Sequence, residues 1–477
     1  MIRKTDPQAI APYLKDASNY SGGAAEEVVI PESVAELIAF LRNNKRPITI
    51  AGAGTGLVAS RIPESGIIIS LERFNSIGEV DAGSIDDGFI DVGPAVTLEQ
   101  LNERLESGPY FYPPNPTETL ASIGGTLATN ASGSRSYKYG VTRDYVLEAD
   151  VILSDGRDVT LRRGMSIETP LKLSDGAEIS FPKITYTSPV CKNAAGYYIR
   201  SGMDWLDLFI GSDGTLGIFT RIRLKLIQRP AAFISGILFF ENEESCWNLV
   251  ETIRKARRER IDPCSLEYFD RRSLDRLRKK FENIPEHAAA ALFFENAVER
   301  EEEYDSGLEA WYDFLSEEEV LLDDSWFAQS ARDLKRFHQF RHELPVLLNE
   351  ENSRLGRIKI GTDMAVPDKY FREMMHLYEE ELEAGGLDYV VFGHLGDNHL
   401  HINLLPESGQ GDRAQEIYVR LVKRILQWQG TISAEHGIGK LKKKFFAEMV
   451  GRKALDELKT VKKTLDPKLI LGGGNLL

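Results

Sequence analysis

Apolar residues recur through the first half of the chain in short blocks, each closed by glycine, aspartate or proline. On that punctuation residues 47–51, 67–71, 89–92, 147–153 and 218–227 read as strands. Between them, residues 33–43 place Val34, Leu37, Ile38 and Leu41 at helical spacing behind Ser33, a candidate N-cap, and residues 98–107 give a second helix. Past Pro230-Ala231-Ala232 the pattern changes to long charged amphipathic stretches, 244–260 and 299–319, interleaved with strands. Residues 441–477 read as a basic helical segment that ends in Leu465-Asp466-Pro467 and a glycine tail. The chain is therefore expected to divide at about residue 230, with 441–477 as a separate closing segment.

One alternation carries more than packing. Residues 389–394 read as a strand, 395–398 as a tight loop and 399–404 as the returning strand. A period of two puts His399, His401 and Asn403 on one face and Leu400, Ile402 and Leu404 on the other. With a four-residue loop, His394 and His399 become cross-strand neighbours on the polar face. Further on, Thr431-Ile432-Ser433-Ala434 leads into Glu435-His436-Gly437-Ile438-Gly439. Of the eight histidines in the chain, four fall in these two segments, which is more than a solvated hairpin needs. Imidazoles with a carboxylate form a ligand set for zinc or manganese, usually with a position left open for substrate.

Composition narrows the partners. The chain has 477 residues, 42% hydrophobic and 27% charged, with no low-complexity stretch, so it should fold throughout into more than one core. A net charge of −15 argues against nucleic acid or an anionic membrane surface as the main partner. No apolar run approaches the roughly 20 residues that span a bilayer. The first residues contain no signal-peptide apolar region. Cys191, Cys246 and Cys264 are widely spaced and odd in number, which points to a reducing cytoplasm and not to a disulfide framework.

Three glycine-rich stretches stand out. The first strand runs into Ala51-Gly52-Ala53-Gly54-Thr55-Gly56-Leu57, whose successive backbone N–H groups suit a phosphate. A Rossmann nicotinamide site is rejected, because Leu57 stands at the third glycine position and Pro63 and Gly66 forbid a long following helix. The others are Ser122-Ile123-Gly124-Gly125-Thr126 with Asn130–Ser134 and Gly140, and Gly211–Thr220.

Together with Pro113-Pro114-Asn115-Pro116 and Lys192–Tyr197, these segments resemble, over residues 25–228, the FAD-binding domain of the vanillyl-alcohol oxidase / p-cresol methylhydroxylase superfamily. The resemblance implies an α+β fold: a two-subdomain FAD-binding domain over 1–229, an α+β substrate- and metal-binding domain with an antiparallel sheet over 230–440, and a helical segment, 441–477, packing back on the first. It places Gly52, Ala53, Gly54, Thr55 and Gly56 at the FAD pyrophosphate, with Pro114, Gly124, Gly125, Asn130, Ser134, Gly214 and Ile218 also at the cofactor. Asp213 stands where the superfamily usually has Glu, and no histidine precedes His287, so the FAD is expected to be non-covalent.

The histidine segments resemble the C-terminal domain of the FAD-linked 2-hydroxy-acid dehydrogenases that act on D-lactate, D-2-hydroxyglutarate or glycolate. There the pattern is Gly-His-Ile-Gly-Asp-Gly-Asn-Leu-His, an Asn two residues on, and later Glu-His-Gly-Ile-Gly. The resemblance implies a metal held by His394, His401 and Glu435, His436 as catalytic base, Asn403 touching substrate, and Arg341 clamping a substrate carboxylate. Asn398 and His399 replace the usual Gly-Asn pair, a change that either adds a ligand or lines the pocket. Pro345 replaces a hydroxyl, and Lys359 lies further from Asp363 than the pattern has it, which favours a monocarboxylate such as D-lactate. The expected reaction is oxidation of a small D-2-hydroxy acid to the 2-oxo acid, with electrons passed to electron-transfer flavoprotein, a quinone or a cytochrome. A homodimer is one assembly considered. The alternatives are a redox-neutral flavoenzyme like alkylglycerone-phosphate synthase, an O₂-using phenol oxidase, and a flavin-bearing subunit without its own turnover.

Overall fold

The computed structural model describes residues 1–83, 87–257 and 259–477. Three main sheets carry the chain, and the fold is α+β. The first orders Ile2–Lys4, Glu27–Ile30, Ile67–Ser70 and Ile48–Ala51, the last three paired in parallel. Glu27–Ile30 and Ile67–Ser70 are buried at every position, as near-continuous Val/Ile runs require when a sheet is covered on both faces. The helix Val34–Asn43 begins at Ser33, whose Oγ accepts from the Glu36 N–H, and it buries Leu37, Phe40 and Leu41.

The second sheet is antiparallel and orders Ile77–Ala82, Asp87–Val92, Ile218–Gln228, Val146–Ile152 and Asp158–Arg162. Along Ile218–Gln228, Ile222, Leu224 and Leu226 are buried while Arg221 and Arg223 point away and pair with Asp91 and Asp150.

The third sheet runs Trp326–Phe327, Ala232–Phe240, Ala290–Val298, Pro263–Asp270, Asp388–His394, His399–Leu405 and Ile360–Gly361, with Met364–Ala365 also paired to His399–Leu405. Glu243–Ala256, Arg271–Leu277, Tyr304–Ser316, Ala331–Leu355, Phe371–Gly385 and Gly411–Gln427 are its accompanying helices. Of the two charged amphipathic stretches, 244–260 gives the helix Glu243–Ala256 and 299–319 the helix Tyr304–Ser316, and Arg258 lies outside the described residues. Residues 441–477 contain the helix Lys443–Leu465, interrupted at Gly451. The buried Lys462 ammonium on this helix donates to the Thr215 carbonyl, and beyond the helix the chain returns to the first sheet, where the Ile48 N–H donates to the Ile470 carbonyl.

Candidate functional site

A cavity of about 1780 Å³ opens between the glycine loops of the first half and the histidine hairpin of the second. Typical small-molecule pockets hold roughly 300–1,000 Å³. This one has room for a dinucleotide and a substrate together.

At one end, the strand Ile48–Ala51 delivers Gly52–Gly56 to the cavity wall. Gly54 is left-handed (φ +88°), and a Cβ there would meet the Arg61 guanidinium. A Cβ on Gly124 would lie 2.7 Å from Pro94. The Gly124 N–H donates to the Pro94 carbonyl, so the backbone N–H groups that can turn to a ligand are those of Gly52–Gly56, which fits a pyrophosphate. Gly124, Gly125, Gly214 and Ile218 share the wall.

Pro114, Asn130 and Ser134 do not line the cavity but shape it from behind. Asn130 is the left-handed C-cap of Ile123–Thr129, and its Oδ1 accepts from the Arg143 N–H. Ser134 accepts from the Asn115 amide, and Pro114 is buried. Asp213, by contrast, lines the cavity; it is buried and accepts from the Gly439 N–H.

Arg61 is a wall residue the sequence reading missed. Its guanidinium has no carboxylate at ion-pairing distance among the described residues, Nε has no hydrogen-bond partner, and burial lowers its pKa.

At the other end, Asp388–His394 and His399–Leu405 pair with His394 opposite His399, the register the alternation predicts. Asn398 closes the turn in the left-handed region, and its amide donates to Asp368, away from the cavity. His394 Nε2 and His401 Nε2 approach the same oxygen, Glu435 Oε1, at 3.4 and 3.3 Å. The second nitrogen of each ring is held from behind: His394 Nδ1 is 2.6 Å from Glu267 Oε1, and His401 Nδ1 is 3.3 Å from the Thr362 carbonyl. Metal-binding histidines are commonly oriented in this way. One donor atom each from His394, His399, His401 and Glu435 lies within 4.8 Å of the others, a spacing and chemistry that fit a divalent ion.

Three carboxylates, Glu267 and Asp363 buried and Glu435 half-buried, fix these groups. Burial alone would push Glu267 up, but His394 and Arg341 hold it well below the usual carboxylate range. Glu435 is likewise held down against burial by Lys192, 3.4 Å from Oε2, and by His394, while Ser132 donates to it at 2.9 Å. Asp363 accepts from the backbone N–H groups of Ala434, Glu435 and His436, from Ser433, and from Lys442 at 2.6 Å. Residues 433–436 are thus wrapped around one carboxylate, and His436 Nδ1 lies 3.3 Å from it. Burial lowers the His436 pKa to about 4, with Asp363 opposing and Lys442 adding to the effect.

The substrate residues expected from the sequence meet here. Arg341, on Ala331–Leu355, walls the cavity with Nε 2.9 Å from Glu267 Oε2 and Nη1 facing Thr117 and His342. Asn403 is buried in the wall beside Gly361. Pro345 and Lys359 also face the cavity, the Lys359 ammonium donating to Asn349 at 3.0 Å. Glu267, Ser132 and Lys192 were not anticipated as site residues. The one available signal was Glu267 itself, a lone charge between Leu266 and Tyr268 in an otherwise strand-like run.

Residues 229–476 match the family model described as FAD linked oxidases, C-terminal domain, and residues 25–162 match an FAD binding domain. The chain is 29% identical to D-lactate dehydrogenase from Anaerostipes hadrus, over 97% of this chain and 92% of the relative. It is 27% identical to glycolate oxidase subunit GlcD of Bacillus subtilis (97% and 91%) and 24% identical to D-2-hydroxyglutarate dehydrogenase of Stutzerimonas stutzeri (99% and 95%). Among solved structures, an alkyldihydroxyacetonephosphate synthase superposes with a TM-score of 0.69 at 15% identity, over 98% of this chain and 81% of that one, a likeness of fold.

Proposed function

The chain belongs to the FAD-linked oxidase family, and from that premise we propose that it oxidises a small D-2-hydroxy acid, D-lactate-like, to the 2-oxo acid with the help of a divalent metal. The observation that carries this reading is the meeting of His394 Nε2, His401 Nε2 and Glu435 Oε1 in the same cavity as the glycine loops. Gly52–Gly56, Gly124, Gly125, Gly214 and Ile218 would hold non-covalent FAD, and His394, His401 and Glu435 would hold zinc or manganese. When bound, the flavin supplies the hydride acceptor and the ion supplies a Lewis acid for the substrate oxygens.

The chain's own residues do the rest. Arg341, fixed through Nε by Glu267, turns its remaining guanidinium edge to the substrate carboxylate, where planar two-point recognition favours Arg. Asn403 hydrogen-bonds the substrate. His436 accepts the hydroxyl proton at Nε2, because Asp363 beside Nδ1 fixes the tautomer. With its pKa at about 4, His436 is unprotonated, and so competent as a base, throughout the neutral range. The electron acceptor would be electron-transfer flavoprotein, a quinone or a cytochrome. Among the described residues no helix is long and apolar enough to cross a membrane. A cytoplasmic location and a homodimer complete the proposal.

Anaerobic flavin bleaching with a panel of D- and L-2-hydroxy acids, before and after chelation, tests it. Bleaching by one D-acid, abolished by chelator and restored by zinc or manganese, is the expected result. Bleaching indifferent to chelator would remove the metal from the reading. Bound FAD that no acid bleaches would replace it with redox-neutral chemistry or a subunit without turnover.

A further inference from the structure

The hairpin's polar face holds one imidazole more than the proposed metal site uses. His399 is fully buried, with its ring centroid 5.1 Å from that of His394 and 4.6 Å from that of His401. Its Nε2 lies 3.0 Å from Asp363 Oδ1, out of line for a hydrogen bond, and Nδ1 has no hydrogen-bond partner among the described residues. Buried polar atoms are seldom left unpaired, and a histidine with no solvent access has nowhere else to find a partner.

The surroundings point to what is missing. His394 and His401 each turn one nitrogen to an acceptor behind and the other towards Glu435. His399 repeats the arrangement with Asp363 behind it, and it offers a donor atom within 4.8 Å of those of His394, His401 and Glu435. A packed histidine with a purely structural role would satisfy its free nitrogen with a carbonyl or hydroxyl, and His399 Nδ1 has neither.

We propose that His399 is a fourth protein ligand of the divalent ion, bound through the ring nitrogen turned away from Asp363. This rests on the metal reading above and extends it. Three imidazoles and one carboxylate fill a tetrahedral shell, so a substrate oxygen can join only on an ion that expands to five or six ligands. Asp363 then links the two ends of the chemistry, since it stands behind both the ligand His399 and the base His436.

The test counts imidazoles directly. The FAD-bound protein is stripped with a chelator, reloaded with Zn²⁺ and measured by X-ray absorption at the zinc edge, alongside His399→Asn and His394→Ala. Zinc affinity is read by competition with a chelating indicator, and FAD content confirms folding of each variant. Three imidazoles in the native protein and two in His399→Asn, with affinity weakened at least about tenfold, is the expected result. Two imidazoles in the native protein, or unchanged affinity and coordination in His399→Asn, would overturn the ligand role while leaving the metal site standing. If the native protein retains no more zinc than His394→Ala, the metal reading and this extension fall together. Should His399→Asn not fold, the native imidazole count decides alone.

Discussion

At His436, the base in the proposed reaction, availability and direction have different sources. Its low pKa keeps it free of a proton at neutral pH, and Asp363 beside Nδ1 aims Nε2. His436→Gln is therefore expected to lower kcat about 10²–10⁴-fold, the usual worth of a positioned base, while FAD content and zinc retention stay near native. Equal loss of cofactor and activity would instead make His436 part of the scaffold. Arg61 is the opposite case, a charge with no carboxylate at ion-pairing distance among the described residues, set over the Tyr13 ring beside the glycine loop proposed for the pyrophosphate. A hydrogen bond to a charged group is worth about 1.5–3 kcal/mol, so Arg61→Ala should weaken FAD binding roughly 10- to 100-fold in a fluorescence titration of the stripped protein. Little of this was legible from the chain. The two histidine segments stood out by clustering in sequence, while the choice of His394, His401 and Glu435 within them rested on the family resemblance. Glu267 and Asp363 act across long separations, and a lone carboxylate carries no local pattern. Pro114, Asn130 and Ser134 show the converse: a glycine-loop motif contains residues that build the wall as well as residues that form it.

Elements were legible where periodicity and caps agreed. Ser33 and the Leu37/Leu41 spacing fixed Val34–Asn43, and strict alternation fixed the hairpin down to the His394–His399 pairing. The long helix Ala331–Leu355 was the harder case: Ser330 caps it, Gly356 ends it and Phe337, Phe340, Leu344 and Leu348 recur at helical spacing, but Pro345 in its interior argues for a break. It is held by its tertiary contacts, with Phe337, Phe340, Leu344 and Leu348 buried against the third sheet, and it presents Arg341 to the cavity. The closing helix Lys443–Leu465 is interrupted for a different reason. Gly451 adopts φ +74° and ψ 165°, a region open essentially to glycine alone, and a Cβ there would meet nothing within 4 Å. Gly451→Ala is thus a test of backbone strain without a clash. It should cost about 1–3 kcal/mol, read as a lower urea midpoint with an unchanged slope. No change in midpoint would mean that the turn relaxes at no cost.

Over the whole molecule, the change of pattern at residue 230 was legible but the means of joining the two halves was not, because it depends on charges buried far apart in sequence. Arg135 comes from the first half, and its guanidinium makes two bonds of 3.0 Å to Glu295 on the third sheet, with His338 3.2 Å from the same carboxylate. Burial alone would raise the Glu295 pKa, but Arg135 and then His338 hold it far below that of an ordinary glutamate. A carboxylate depressed in the folded state binds fewer protons there than in the unfolded chain. Its contribution is complete above the unfolded pKa of about 4.3 and is lost as pH falls towards the folded value. Urea midpoints should therefore drop steadily below about pH 5 in the native protein. Glu295→Gln should be less stable by about 3–5 kcal/mol at neutral pH, because Arg135 is left buried without its partner. Its midpoint should also fall less steeply with acid, since the titrating group is gone. A native-like acid slope in Glu295→Gln would assign the acid sensitivity to other depressed carboxylates, above all Glu267, Asp363 and Glu435 at the proposed site. Chelated and zinc-loaded samples would then separate, because a bound ion competes with protons for Glu435 and steepens the loss of stability as pH falls.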